Sequence, residues 1–90
     1  ADPNRIMLLY ALSQGSRNVT ELCNELNMPQ PLVSRHLKVL RERGMVTNER
    51  RGTVIVYSLG DKRLVQALDL LRAAMRDMLA KRAELVEAFA

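Results

Sequence analysis

Residues 33–40 read Val33-Ser34-Arg35-His36-Leu37-Lys38-Val39-Leu40. At about 100° per residue, Val33, Leu37 and Leu40 share one helix face, and Ser34, Arg35 and Lys38 fall on the opposite side. A solvent-facing side that offers a hydroxyl, a guanidinium and an ammonium suits the base edges and phosphates of a DNA major groove. Upstream lies a second short amphipathic segment, Val19 to Leu26, separated from the first by Asn27-Met28-Pro29. Two short helices joined by a tight turn, the second basic on its outer face, predict a helix-turn-helix. On Arg35 and Lys38 alone, an ordinary solvated helix face accounts for the pattern equally well. The residues that follow decide between the two.

After this helix come Arg41-Glu42-Arg43-Gly44, then Met45 to Arg50, Arg51-Gly52-Thr53, and Val54-Ile55-Val56-Tyr57-Ser58-Leu59. Gly44 suits the position just past a helix end, where a positive φ is needed and a Cβ would clash. The run from Val54 to Leu59 is β-branched and aromatic and favours a strand. Gly52 marks a hairpin turn whose tip carries Arg50, Arg51 and Thr53. Charges at such a tip can serve only to keep an exposed hairpin soluble. Directly behind a basic helix, however, they form a wing placed to meet the phosphate backbone or minor groove. The predicted fold class is therefore mostly α with a small β-hairpin, a winged helix-turn-helix.

Five segments in order resemble the ArsR/SmtB family of bacterial transcriptional repressors. They are Ala1-Asp2-Pro3-Asn4-Arg5, Val19-Thr20-Glu21-Leu22, Pro31 to Arg41, Gly44-Met45-Val46 and Arg50-Arg51-Gly52. The resemblance runs from residue 1 to about residue 59; the helix after it fits in kind only. It implies a cytoplasmic homodimer that binds an inverted-repeat operator in double-stranded DNA. It also implies release of that operator on sensing a metal ion, a metalloid or an oxidant. The expected DNA-contacting residues are Gln30, Leu32, Ser34, Arg35, His36 and Lys38 on the helix and Arg50, Arg51 and Thr53 on the wing. Family members carry a further helix before the Ala-Asp-Pro segment, so that helix is expected to be trimmed or missing here. They also place a serine where Pro29 stands. Proline cannot cap with its side chain, which leaves the start of the recognition helix near Gln30-Pro31 the least defined boundary.

Composition agrees with this reading. Ninety residues suffice for one small domain, a size that often leans on a partner subunit. We expect a single domain over 1–90, with the helix-turn-helix at about 19–43, the wing at 45–59 and a dimerisation helix at 61–89. A formal charge of +4 and a pI near 9.8 point toward a polyanion. A single cysteine excludes an internal disulfide and fits a reducing compartment. No apolar run approaches the ~20 residues of a membrane helix, and no signal-peptide layout is present. Aromatics make up 3% with no Trp, which argues against stacking platforms for single-stranded nucleic acid.

At the start, Asp2-Pro3 is an N-cap followed by a first-turn proline, and Ile6, Leu9 and Leu12 carry a helix toward Gly15. Asn18 and Glu21 have capping-box spacing for the next helix. From Asp61 to the end the chain reads as one long helix. Leu64, Leu68, Leu71, Met75, Met78, Leu85 and Phe89 form a stripe with Arg82 as its single polar interruption. Such a stripe is either a core face or a seam with a second chain. It is longer than a small winged-helix body can cover, which favours the seam and a homodimer; a face for the absent N-terminal helix is the alternative.

The sensing chemistry is not legible. Metal-responsive relatives carry a Cys-x-Cys pair at positions that correspond here to Asn18 and Thr20. Cys23 matches a further cysteine of some arsenic-responsive relatives, but one thiolate does not hold a soft metal. We read Cys23 as a structural thiol packed beside Leu22 and Leu26. Asp69, Asp77, Glu84 and Glu87 read as the solvated face of the last helix, and His36 as a packing or phosphate-contacting residue. No cofactor is evident, and a metal ion would find no complete site in this chain. No paired catalytic carboxylates, nucleophile triad or Gly-rich phosphate loop marks an enzyme. Two alternatives to a metal-responsive repressor are a MarR-like regulator answering to a small organic ligand and a winged helix used for protein contact. The cationic helix and wing argue against the second.

Overall fold

The computed structural model describes residues 2–90; Ala1, where the expected domain begins, lies outside them. Four helices and three strands follow in the order α1 (Pro3–Ser13), β1 (Arg17–Asn18), α2 (Val19–Leu26), α3 (Gln30–Glu42), β2 (Val46–Arg51), β3 (Val54–Leu59) and α4 (Arg63–Ala88). The strands form one antiparallel sheet in the order β1-β3-β2. Within the hairpin Val46 pairs with Leu59 and Arg51 with Val54; on the other edge Arg17 pairs with Tyr57.

Local chemistry sets the boundaries. Asp2 caps α1, its Oδ1 accepting from the Asn4 amide at 2.9 Å. Asn18 and Glu21 form a reciprocal capping box on α2, at 2.8 and 3.0 Å. That helix ends at Asn27 in the left-handed conformation, φ 52°, which asparagine tolerates, and the Met28 amide closes the turn on the Cys23 carbonyl. Met28 itself is buried, so the three-residue break also plugs the core. Helix α3 starts at Gln30, and Pro29 at its N-cap position supplies no side-chain cap, as a proline there requires. Gly52 adopts φ +64° at the first position of a two-residue turn while Thr53 keeps a negative φ, the pattern of a type II′ hairpin.

The core is formed by Leu8, Leu9 and Leu12 of α1, Leu22 of α2, Met28, Val33, Leu37 and Leu40 of α3, Val46 of β2, and Val65 of α4. The last helix thus contributes one buried residue out of 26. At ~1.5 Å per residue it is about 39 Å long, and most of it extends past the body, giving the molecule dimensions of 62 × 25 × 20 Å. It begins two residues later than the sequence predicts. Asp61 lies two residues before it, its carboxylate accepting from the guanidinium of Arg63 at 2.7 Å and from the Arg63 amide at 2.9 Å. Those two bonds hold the Asp61 carboxyl down at about 2.

Two further features depart from the expectations. The strand β1 was not anticipated: it is two polar residues long and exists because Arg17 and Asn18 pair with β3. Cys23 is half-buried against the core rather than sealed in it.

Candidate nucleic-acid interface

Helix α3 packs Val33, Leu37 and Leu40 inward and turns Gln30, Arg35, Lys38 and Arg41 to solvent. Ser34 is half-buried, its hydroxyl accepting from the Gln30 amide nitrogen at 3.1 Å, one turn apart. None of Arg35, Lys38 and Arg41 lies within ion-pair distance of a carboxylate among the described residues. Their charge is free for an external anion. Arg41 was not in the expected set, although its place three residues beyond Lys38 puts it on the same face.

On the wing, the two arginines differ. Arg51 is paired with the Glu49 carboxylate. Arg50 makes no ion pair among the described residues and donates only to the Gly52 carbonyl, at 3.2 Å. Thr53 sits exposed in the turn beside it. The structure therefore presents two basic surfaces from consecutive elements, a helix face and a hairpin tip, with one wing charge partly neutralised from within.

Two expected contact residues are placed elsewhere. His36 is 4% exposed and faces α1, where its Nδ1 accepts from Arg5 Nε at 3.2 Å; a ring sealed there cannot reach a base or phosphate. The signal was present in the spacing, since residue 36 follows Val33 by three and precedes Leu40 by four. Leu32 is half-buried and packs against the core, so only part of its side chain faces outward.

The stripe on α4 divides in two. Leu64 and Leu68 are half-buried, and Leu68 packs on the body. Leu71, Met75, Met78, Leu85 and Phe89 stand in solvent, from 54% exposed at Met75 to 89% at Phe89, and Leu79 and Val86 widen the same face. Between α1 and α4 runs an apolar groove of about 400 Å³ lined by Ile6, Tyr10, Leu68, Leu71, Met75 and Leu79, with Arg72 and Arg76 on its edge. Tyr10 anchors it: its hydroxyl donates to Asp69 at 2.7 Å, Arg72 lies 5.6 Å from its ring centre, and the carboxylate acceptor raises the phenol's pKa. Asp69 is thus engaged in a tertiary bond as well as lying on the solvated face.

Among the described residues, no three of His, Cys, Asp and Glu come together in a cluster able to hold a metal. Cys23 offers a single sulfur.

A helix-turn-helix followed by a two-stranded wing defines a winged-helix protein. The chain belongs to the arsR family of bacterial regulatory proteins, whose model matches residues 2–48. It is 44% identical over 78 residues to the transcriptional repressor SmtB of Mycobacterium tuberculosis, a match covering 86% of this chain and 58% of that one. The chain therefore spans little more than half the length of such curated relatives. Another Mycobacterium tuberculosis protein, known from a crystal structure, superposes with a TM-score of 0.83 at 30% identity, over 92% of this chain and 84% of that one. A homodimeric winged helix-turn-helix DNA-binding domain from Mycobacterium bovis gives 0.76 at 25% identity, over 88% and 73%. Membership of this family sets aside the MarR-like alternative.

Proposed function

We propose that this chain is the DNA-binding and dimerising part of a transcriptional repressor that acts on an inverted-repeat operator and lets go of it when an inducer binds. The observation that carries this is a cationic face of α3 (Arg35, Lys38, Arg41) followed in the chain by a wing tip with Arg50, none of the four in an ion pair among the described residues. A helix face of that kind reads base edges while the wing adds phosphate contact. The exposed apolar face of α4 supplies the dimer, and a two-fold protein matches a two-fold operator. We infer that the chain, like the relatives it matches, is a DNA-binding regulator and not an enzyme, and that it acts in the cytoplasm, where its DNA is. No helix is long and apolar enough to cross a membrane.

The inducer class, a metal ion, a metalloid or an oxidant, follows the family's relatives, among them repressors named for mercury and arsenical resistance operons. We infer that Cys23 alone does not hold it.

The test is selection of duplexes from a random-sequence library, followed by titration of the selected and scrambled duplexes. The expected result is an enriched inverted repeat, bound by two protomers and preferred over scrambled DNA by at least ~10³, the low end for specific regulators. Equal affinity for both duplexes would remove the operator reading.

A further inference from the structure

The inner side of α3 carries one polar side chain in an otherwise apolar layer. His36 is 4% exposed, and its Nε2 is the one buried side-chain nitrogen or oxygen among the described residues with no hydrogen-bond partner. Nδ1 accepts from Arg5 Nε at 3.2 Å. In the neutral ring the proton therefore sits on Nε2. That atom lies 3.9 Å from Asp2 Oδ2, beyond hydrogen-bond range. The other oxygen of Asp2 is occupied in capping α1 through the Asn4 amide at 2.9 Å. One cap residue and one first-turn arginine of α1 thus flank a histidine in the middle of the recognition helix.

For stability alone this arrangement is a poor choice. A buried N–H left without a partner costs free energy, and an apolar side chain of similar volume would fill the space without that cost. What the polar pair supplies is direction. Leucine against leucine tolerates small rotations of one helix on another, whereas an N–H aimed at a ring nitrogen has a narrow angular range. Ser34 and Arg35 immediately precede His36 on the same turn. Rotating α3 by ~10° moves a group ~6 Å from its axis by about 1 Å, roughly twice the spread of distances over which a hydrogen bond is good. The orientation of α3 on α1 therefore decides whether its outer residues meet base edges.

We propose that His36, held by Arg5 with Asp2 behind it, is a positioning residue for DNA recognition: it fixes the rotation of α3 against α1 without touching DNA. The inference rests on the operator-binding reading above.

The experiment uses the full chain and the duplex that the wild-type protein selects from a random library, with a scrambled duplex as control. His36→Leu removes the acceptor and keeps the bulk; His36→Asn restores an oxygen near the Nδ1 position; Arg5→Met removes the donor and keeps the stem. The expected result is that His36→Leu and Arg5→Met lose about tenfold in the ratio of selected to scrambled affinity, the worth of one hydrogen bond. Scrambled affinity stays near wild type, His36→Asn recovers most of the ratio, and the double variant His36→Leu/Arg5→Met is no worse than either single one. An unchanged ratio in both single variants, or equal losses on both duplexes, overturns the proposal. If His36→Leu does not fold, Arg5→Met, altered at the half-buried rim, decides alone. A wild-type protein without sequence preference would instead overturn the operator reading itself, and the positioning role with it.

Discussion

The amide of Gly60 donates to the carbonyl of Met45 at 2.9 Å, joining the residue that leaves the wing to the residue that leads into it. The approach is close enough that a Cβ on Gly60 would lie 2.6 Å from the Gly44 carbonyl oxygen and 3.1 Å from that of Met45. Those are backbone atoms at the end of the recognition helix, and they cannot swing aside as a side chain would. The base of the wing is thereby locked to the C-terminus of α3, which fixes where Arg50 stands relative to Arg35.

Gly60→Ala is expected to destabilise the fold by about 1–3 kcal/mol, the usual cost of overpacking. In a domain of this size each kcal/mol lowers Tm by ~4–8 °C. Gly52 offers the contrast: its φ of +64° strains any side chain, but nothing lies within 4 Å of a Cβ there. Asparagine at 52 should therefore cost only the backbone strain, whereas at 60 it would also have to displace the Gly44 and Met45 carbonyls, so Gly60→Asn is expected to lose more stability. Thermal unfolding of Gly52→Asn and Gly60→Asn side by side checks this; equal melting temperatures would mean that the Gly44–Gly60 contact relaxes freely.

Wing and helix should fail differently. Arg35 is exposed on the outer face of α3, and a guanidinium there can bond guanine O6 and N7 together, a contact carrying roughly 1–3 kcal/mol of discrimination. Arg35→Ala should weaken a selected operator far more than scrambled DNA. Arg50→Ala should weaken both alike and reduce the salt dependence by about one counterion per lost phosphate contact per subunit. Arg51→Ala should do less than Arg50→Ala, because Glu49 already engages its guanidinium. Titration of both duplexes at several salt concentrations separates the three; specificity loss confined to the wing variants would reverse the assignment.

Much of this arrangement is legible in the sequence, and the parts that are not share a cause. The periodicity of Val33, Leu37 and Leu40, the capping box at Asn18 and the turn at Gly52 are local patterns, and each lies where its spacing predicts. Strand β1 has no such pattern, being two polar residues defined by their partners on β3. Gly60 looks like any loop glycine until the chain brings it against Gly44. His36 was legible in spacing but not in chemistry: of the two roles the sequence left open, packing and phosphate contact, its burial is compatible only with the first. A buried imidazole needs a partner, and Arg5, 31 residues earlier, is invisible from the local pattern.

Cys23 packs half-buried against the core between α2 and its neighbours. Cys23→Ser should leave operator affinity nearly intact and lower stability modestly, through a hydroxyl placed where a thiol made apolar contact. Isothermal titration with zinc and with arsenite checks the accompanying claim that one sulfur holds neither tightly. Stoichiometric tight binding that vanishes in Cys23→Ser would assign the thiol to sensing.

The face of α4 poses the sharpest test of assembly. Leu71 is 58% exposed at the centre of the apolar stripe and lines the groove with α1, whereas its neighbour Leu70, 74% exposed, points about 100° away round the helix and lies outside that groove. A seam along the stripe buries residue 71 and leaves residue 70 in solvent. Leu71→Glu would then bury an unpaired carboxylate and cost several kcal/mol of association, while Leu70→Glu should cost almost nothing. Sedimentation velocity over a concentration series should show wild-type and Leu70→Glu protein as dimers and Leu71→Glu as monomer. Because Leu71 is not part of the buried core, the variant should remain folded by circular dichroism, so loss of the dimer can be separated from loss of the fold. A Leu71→Glu protein that still sediments as a dimer would move the interface off this stripe, and a monomeric Leu70→Glu would move it round the helix.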